Sequence, residues 1–162
     1  MHPENLTTIS IICDTTYNFT TFDSDAVGLE TGNVIINGNV TDNHFNLTLS
    51  DNAYLYGWIM DDSGSVTVSG TVSDNEVTIP DGSDFLSGFY FKSASSASEI
   101  NFEQAIEGNQ FNMNFYPEIV LITSGSGVIN LKGNTDETQL SSVNHDALIQ
   151  QSGSGICYGS PC

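Results

Sequence analysis

The sequence predicts an all-β domain, an antiparallel meander of roughly ten strands closed into a sandwich or barrel. Three observations lead there. Apolar and polar residues alternate with a period of two. Turn-forming residue pairs interrupt that alternation at regular spacing. The whole pattern recurs with a period of roughly thirty residues.

The repeat is visible by direct comparison. Val34-Ile-Ile-Asn-Gly-Asn-Val-Thr-Asp-Asn-His-Phe-Asn-Leu matches Val66-Thr-Val-Ser-Gly-Thr-Val-Ser-Asp-Asn-Glu-Val-Thr-Ile. A third copy reads Ile100-Asn-Phe-Glu-Gln-Ala-Ile-Glu-Gly-Asn-Gln-Phe-Asn-Met. Each places two residues, Asp42-Asn43, Asp74-Asn75 or Gly108-Asn109, between alternating runs. Two-residue hairpin loops need positive φ, which Gly, Asn and Asp tolerate best. These pairs therefore predict hairpins in which Val40 faces Phe45, Val72 faces Val77 and Ile106 faces Phe111. Side chains alternate along a strand, so Val34, Ile36, Val40, Phe45, Leu47 and Leu49 share one face of the first hairpin, Val66, Val68, Val72, Val77 and Ile79 one face of the second, and Ile100, Phe102, Ile106, Phe111, Met113 and Phe115 one face of the third. A β-solenoid is the alternative, because a three-strand repeat of this length also makes a coil. The two-residue loop signals favour hairpins over coil corners.

Glycine-centred runs flank the hairpins: Val27-Gly28-Leu29, Leu55 to Met60 and Leu86 to Phe91. The run Glu118-Ile-Val-Leu-Ile-Thr123 is apolar without alternation, the pattern of a central strand buried on both faces. One helix is expected within 134–151, where Asn134 and Glu137 resemble a capping box and Leu140, Val143, Ala147 and Leu148 form a stripe. The domain organisation is one β domain over 1–151, followed by a flexible Cys-containing tail over 152–162 that begins Ser-Gly-Ser-Gly. The cysteines are Cys13, Cys157 and Cys162. Cys157 and Cys162 flank the turn-prone Tyr-Gly-Ser-Pro and can close a small loop; Cys13 bridging to the tail is the competing pairing.

Composition bears on function. The 162 residues carry a formal net charge of -18, although only 14% are charged, because Lys92 and Lys132 are the sole cations besides histidine. Phosphate recognition needs Lys and Arg, so nucleic-acid binding and attachment to anionic membrane surfaces are disfavoured. No apolar run is long enough to insert into a membrane as a helix. The start Met-His-Pro-Glu-Asn-Leu lacks the basic and apolar regions of a signal peptide. The charge suits solubility and discourages edge-to-edge association of strands.

No catalytic constellation stands out, and the sequence reads as non-enzymatic. His145-Asp146 offers a base beside a carboxylate, but adjacent helical residues do not face one another. Cysteine and histidine are too dispersed for zinc. Calcium is the one metal with a sequence signal, in the short acidic loops holding Asp61, Asp62, Asp81 and Asp84; ordinary turns use the same residues. Tyr54, Tyr56, Trp58 and Tyr90 alternate along strands and form a candidate binding row for a sugar or a protein. Asn5, Asn18, Asn39 and Asn46 begin glycosylation sequons.

The functional expectation is a structural or adhesive subunit of an extracellular surface, filament or virion, associating with itself or with another surface or virion protein. A carbohydrate-binding module, with or without calcium, is the second reading, and a barrel holding a small apolar ligand the third.

Overall fold

The computed structural model describes residues 9–10, 16–21, 32–37, 40–41, 44–49, 58–60, 64–78, 88–94, 98–113 and 117–162. The chain winds through these as successive coils. Coil one holds β1 (Ile9–Ser10) and β2 (Thr16–Thr21). Coil two holds β3 (Gly32–Asn37), β4 (Val40–Thr41), β5 (His44–Leu49) and β6 (Trp58–Met60). Coil three follows with β7 (Gly64–Val68), β8 (Val72–Ser73), β9 (Glu76–Thr78) and β10 (Phe89–Ser93). Coil four has β11 (Ser98–Phe102), β12 (Ile106–Glu107), β13 (Gln110–Asn112) and β14 (Ile119–Thr123). Coil five runs β15 (Val128–Leu131), α1 (Glu137–Val143) and β16 (Ile149–Ser152), and β17 (Ile156–Tyr158) starts the next turn.

Every described strand pair is parallel, and each strand pairs with its counterpart in the neighbouring coil. Wall one has the order β1-β3-β7-β11-β15-β17, wall two β13-β9-β5-β2, wall three β16-β14-β10-β6, and a short corner wall β12-β8-β4. This overturns the antiparallel meander: the chain is a parallel β-solenoid, neither sandwich nor barrel. Val40 pairs with Val72 rather than Phe45, and Val77 pairs with Phe111 rather than Val72.

The hairpin expectation fails for a conformational reason. A type I′ loop needs positive φ at both central residues. Asp74 and Gly108 have φ of 56 and 69, but Asn75 and Asn109 do not follow them into that region. Gly108-Asn109, with one positive φ, would also suit a type II′ loop; there the buried Asn109 side chain is bonded to Asn144 and to the Val72 carbonyl, and β13 pairs with β9 instead of folding back on β12. At Gly108 a β-carbon would also collide with the Asp74 carboxylate in the coil below.

The alternation of side chains survives this correction, because a strand buries alternate residues whichever neighbour it pairs with. Val66, Ile100 and Ile129 stack on the inner side of wall one, and Val68, Phe102 and Leu131 form the next row; all are fully buried. Across the interior, the Phe91 ring lies 5.0 Å from Phe102. Burying each such side chain contributes about 1.5–3 kcal/mol. β14 lies between β10 and β16, with Ile119, Val120 and Leu121 buried, as its unbroken apolar run requires.

Two corners are closed by buried polar side chains. At the first, Asn75, Asn109 and Asn144 stack as rungs, each at most 1% exposed. Asn75 Nδ2 donates to Asn109 Oδ1 at 2.8 Å and to the Val40 carbonyl at 2.9 Å. Asn109 Nδ2 donates to Asn144 Oδ1 at 2.8 Å and to the Val72 carbonyl at 2.9 Å. Asn144 Nδ2 ends the ladder on the carbonyls of Ile106 and Leu140. At the second corner, Ser93 Oγ accepts from the Val128 amide at 3.0 Å, and Thr123 Oγ1, its register partner, accepts from the Gly155 amide at 3.0 Å.

Coil five departs from the others. α1 is shorter than the stretch that the sequence suggested: Asp136, not Asn134, caps it by accepting from the Gln139 amide at 2.8 Å. Leu140 is fully buried, while Leu148, counted in the apolar stripe, is 64% exposed. Asn134 instead stands in for a missing strand. Its Oδ1 accepts from the Ile106 amide at 3.0 Å and its Nδ2 donates to the Ile106 carbonyl at 3.1 Å. One side-chain amide thus meets both backbone groups of Ile106 in β12, with Asn144 sharing the carbonyl, where coil five has no strand.

The segment after Ser152 turns a corner into β17, which pairs with β15. Cys157 and Cys162 are disulfide-bonded, with Cα atoms 5.5 Å apart. The closed loop lies back on the outer side of wall one, where the Cys162 amide donates to Asn130 Oδ1 at 3.0 Å and Asn130 is 1% exposed. None of the described helices is long and apolar enough to cross a membrane.

Candidate functional site

Coil five takes a short cut that opens a cleft. In coil four the chain leaves Asn109 along β13, and β14 begins only at Ile119. In coil five it leaves Asn144, turns within His145-Asp146, and reaches β16 by residue 149. No strand stands over β13 among the described residues, and wall two ends there. The notch left above β13 has a volume of about 250 Å³ and is lined by Gln110, Phe111, Asn112, Glu118, Asn144, His145 and Ala147.

Each lining group is held from behind. The Phe111 ring meets Phe89 edge to face at 5.1 Å and 86°, and Gly88 leaves no room for a β-carbon beside it. Phe111 is half-buried although its register partner Val77 is fully buried, because nothing from coil five covers it. The backbone of β13 follows the same logic. The Gln110 amide donates to the Asn75 carbonyl at 2.8 Å, toward coil three. Alternate residues of a parallel strand bond to opposite neighbours, so the Phe111 amide and carbonyl point into the notch.

On the other side, the Ala147 amide donates to the Asn144 carbonyl at 3.1 Å, closing a four-residue turn. Its central residues, His145 and Asp146, both have positive φ, 57 and 58. Ser141 Oγ braces that turn by donating to the Ala147 carbonyl at 2.8 Å. Glu118 accepts from the Leu148 amide at 2.7 Å, which pins the short cut to the start of β14. On the rim, Asn112 Nδ2 donates to Glu76 Oε1 at 2.6 Å and to Thr78 Oγ1 at 3.2 Å.

The residues singled out in the sequence distribute differently. Tyr54, Tyr56, Asp61, Asp62, Asp81 and Asp84 lie outside the described residues. Trp58 pairs in register with Phe91, whereas Tyr90 lies one position before Phe91. Among the described residues no group of three or more metal-ligating side chains gathers. The cleft was missed because its parts, 110–112, 118 and 144–147, meet only through the parallel register. The chain matches none of the protein-family models, curated proteins or solved structures with which it was compared.

Proposed function

We propose that this domain is a non-enzymatic structural or adhesive subunit of an extracellular surface, filament or virion. The observation that supports it most is the solid, self-supporting coil stack. Among the described residues its interior is filled by stacked apolar rows, and both polar corners are hydrogen-bonded from coil to coil. Each coil contacts its neighbours, which gives a stiff body with long outer walls, the form that repeat proteins use to present extended surfaces. Such a body transmits load and displays side chains without needing to move. Within the cleft, Gln110, Asn112, Glu118 and His145 supply hydrogen-bonding groups but no activated nucleophile, which favours binding over catalysis.

Self-association is the expected property, through another copy or another surface protein. At a charge of -18, association should strengthen as salt screens the repulsion, since the Debye length falls from about 8 Å at 0.15 M salt to about 3 Å at 1 M. Sedimentation equilibrium across that range should show oligomers that grow with protein concentration. A strict monomer at millimolar concentration in every salt would end this reading.

A further inference from the structure

We propose that the notch over β13 is a binding site for one neutral sugar ring, a site that goes beyond the scaffold reading and is tested independently of it. The chemistry of the lining selects the ligand class. Gln110 brings a planar amide, Asn112 an amide oxygen (its Nδ2 is taken by Glu76 and Thr78), Glu118 a carboxylate, His145 an imidazole, and the Phe111 backbone an amide and a carbonyl. Together they offer donors and acceptors to a ligand that carries several hydroxyls. The half-covered Phe111 ring supplies the apolar patch on which the C–H side of a pyranose rests. No lysine or arginine lines the notch, and a carboxylate does, so phosphates, sulfates and carboxylates are disfavoured. The volume of about 250 Å³ lies below the ~300 Å³ lower end for drug-sized ligands and suits a single ring.

Two further features argue for a built site. The walls are rigid, because Asn144 belongs to the buried ladder and Glu118 is fixed by the Leu148 amide. The turn that presents His145 is also strained. Two consecutive non-glycine residues in left-handed backbone, at φ 57 and 58, cost free energy that a His145-to-glycine change would relieve. The short cut retains that strain while setting the imidazole over the notch.

Amide NMR spectra of the whole chain, titrated with glucose, galactose and N-acetylglucosamine to 50 mM, test the proposal. Saturable shifts confined to Gln110–Asn112, Glu118 and His145–Leu148 are expected with at least one of the three. His145→Gly should weaken that binding about tenfold while the protein melts at a higher temperature, because glycine accepts the turn. Gln110→Ala, a change at an exposed side chain, should weaken it about fivefold without altering the fold. No shift with any of the sugars, shifts that map elsewhere, or unchanged affinity in both variants would overturn the assignment. So would saturation of the β13 edge by an extended peptide while the sugars leave it unperturbed.

Discussion

Coils four and five start alike on wall one and end alike on wall three, but they connect those walls differently. Coil four uses two strands, β12 and β13; coil five uses Asn134, a helix and a turn. What both keep is the asparagine at the corner, Asn109 in one and Asn144 in the other, 35 residues apart. The comparison teaches that the corner ladder is the fixed element and the strands around it are replaceable. A strand can be exchanged for a side-chain amide and a helix if the buried rung and its carbonyl partners remain. Where the exchange is incomplete, over β13, a notch remains.

If the ladder is the fixed element, removing its middle rung should do the most damage. Asn109→Ala strips partners from Asn75, Asn144 and the Val72 carbonyl at once, and a loss of about 4 kcal/mol is expected in urea unfolding. A loss below about 1 kcal/mol would mean that the corners hold without it. Leu140→Ala probes the substitute rather than the ladder. It should cost about 3 kcal/mol by leaving a cavity against Ile106, and hydrogen exchange should quicken first at the β12 amides. Breaking the terminal loop with Cys162→Ser comes next. The closed loop is short, so about 2 kcal/mol is the expected loss, seen as a lower urea midpoint that the oxidised parent regains only with its bond intact. His145→Gly should act in the opposite sense, raising stability by about 1 kcal/mol by relieving one left-handed residue; equal or lower stability would show the turn to be unstrained.

The smallest effect concerns pH. Burial, with Glu137 and Asp136 nearby, pushes the Tyr158 phenol from 10.0 up to about 12. Because the folded value is the higher, this contribution to stability is complete below pH 10 and is lost as pH climbs toward 12. Tyr158 also donates to Gln151 Oε1 at 3.2 Å in coil five. Tyr158→Phe should therefore flatten the decline in melting temperature between pH 10 and 12, and a decline as steep as in the parent would remove Tyr158 as its cause.

The inward residues were legible from sequence because the period of two reads the same in hairpins and in coils. Val66, Val68, Val72, Val77, Ile100, Phe102 and Ile106 are all buried. The direction of the chain after each corner was not legible. Asp74-Asn75 and Gly108-Asn109 carry the same residue types as a hairpin loop. What distinguishes them is the asparagine in second place, turned inward and bonded to its counterpart in the next coil. Among the described residues, the one place with consecutive positive φ values at non-glycine residues is His145-Asp146, which the sequence places inside a helix. Asn134 was read as a helix cap for a similar reason. Its true partner, Ile106, lies 28 residues away, beyond the reach of any local pattern.

The register carries a consequence for how such a chain can change in length. Asn75 and Asn109, 34 residues apart, occupy equivalent places, so cutting the gene between two such codons and rejoining it removes a full turn and leaves every rung a neighbour. Growth or shrinkage then comes in quanta of one turn, each about 4.8 Å of height. An odd deletion inside a strand has no such escape, because it would swing the oily residues that follow in that strand outward.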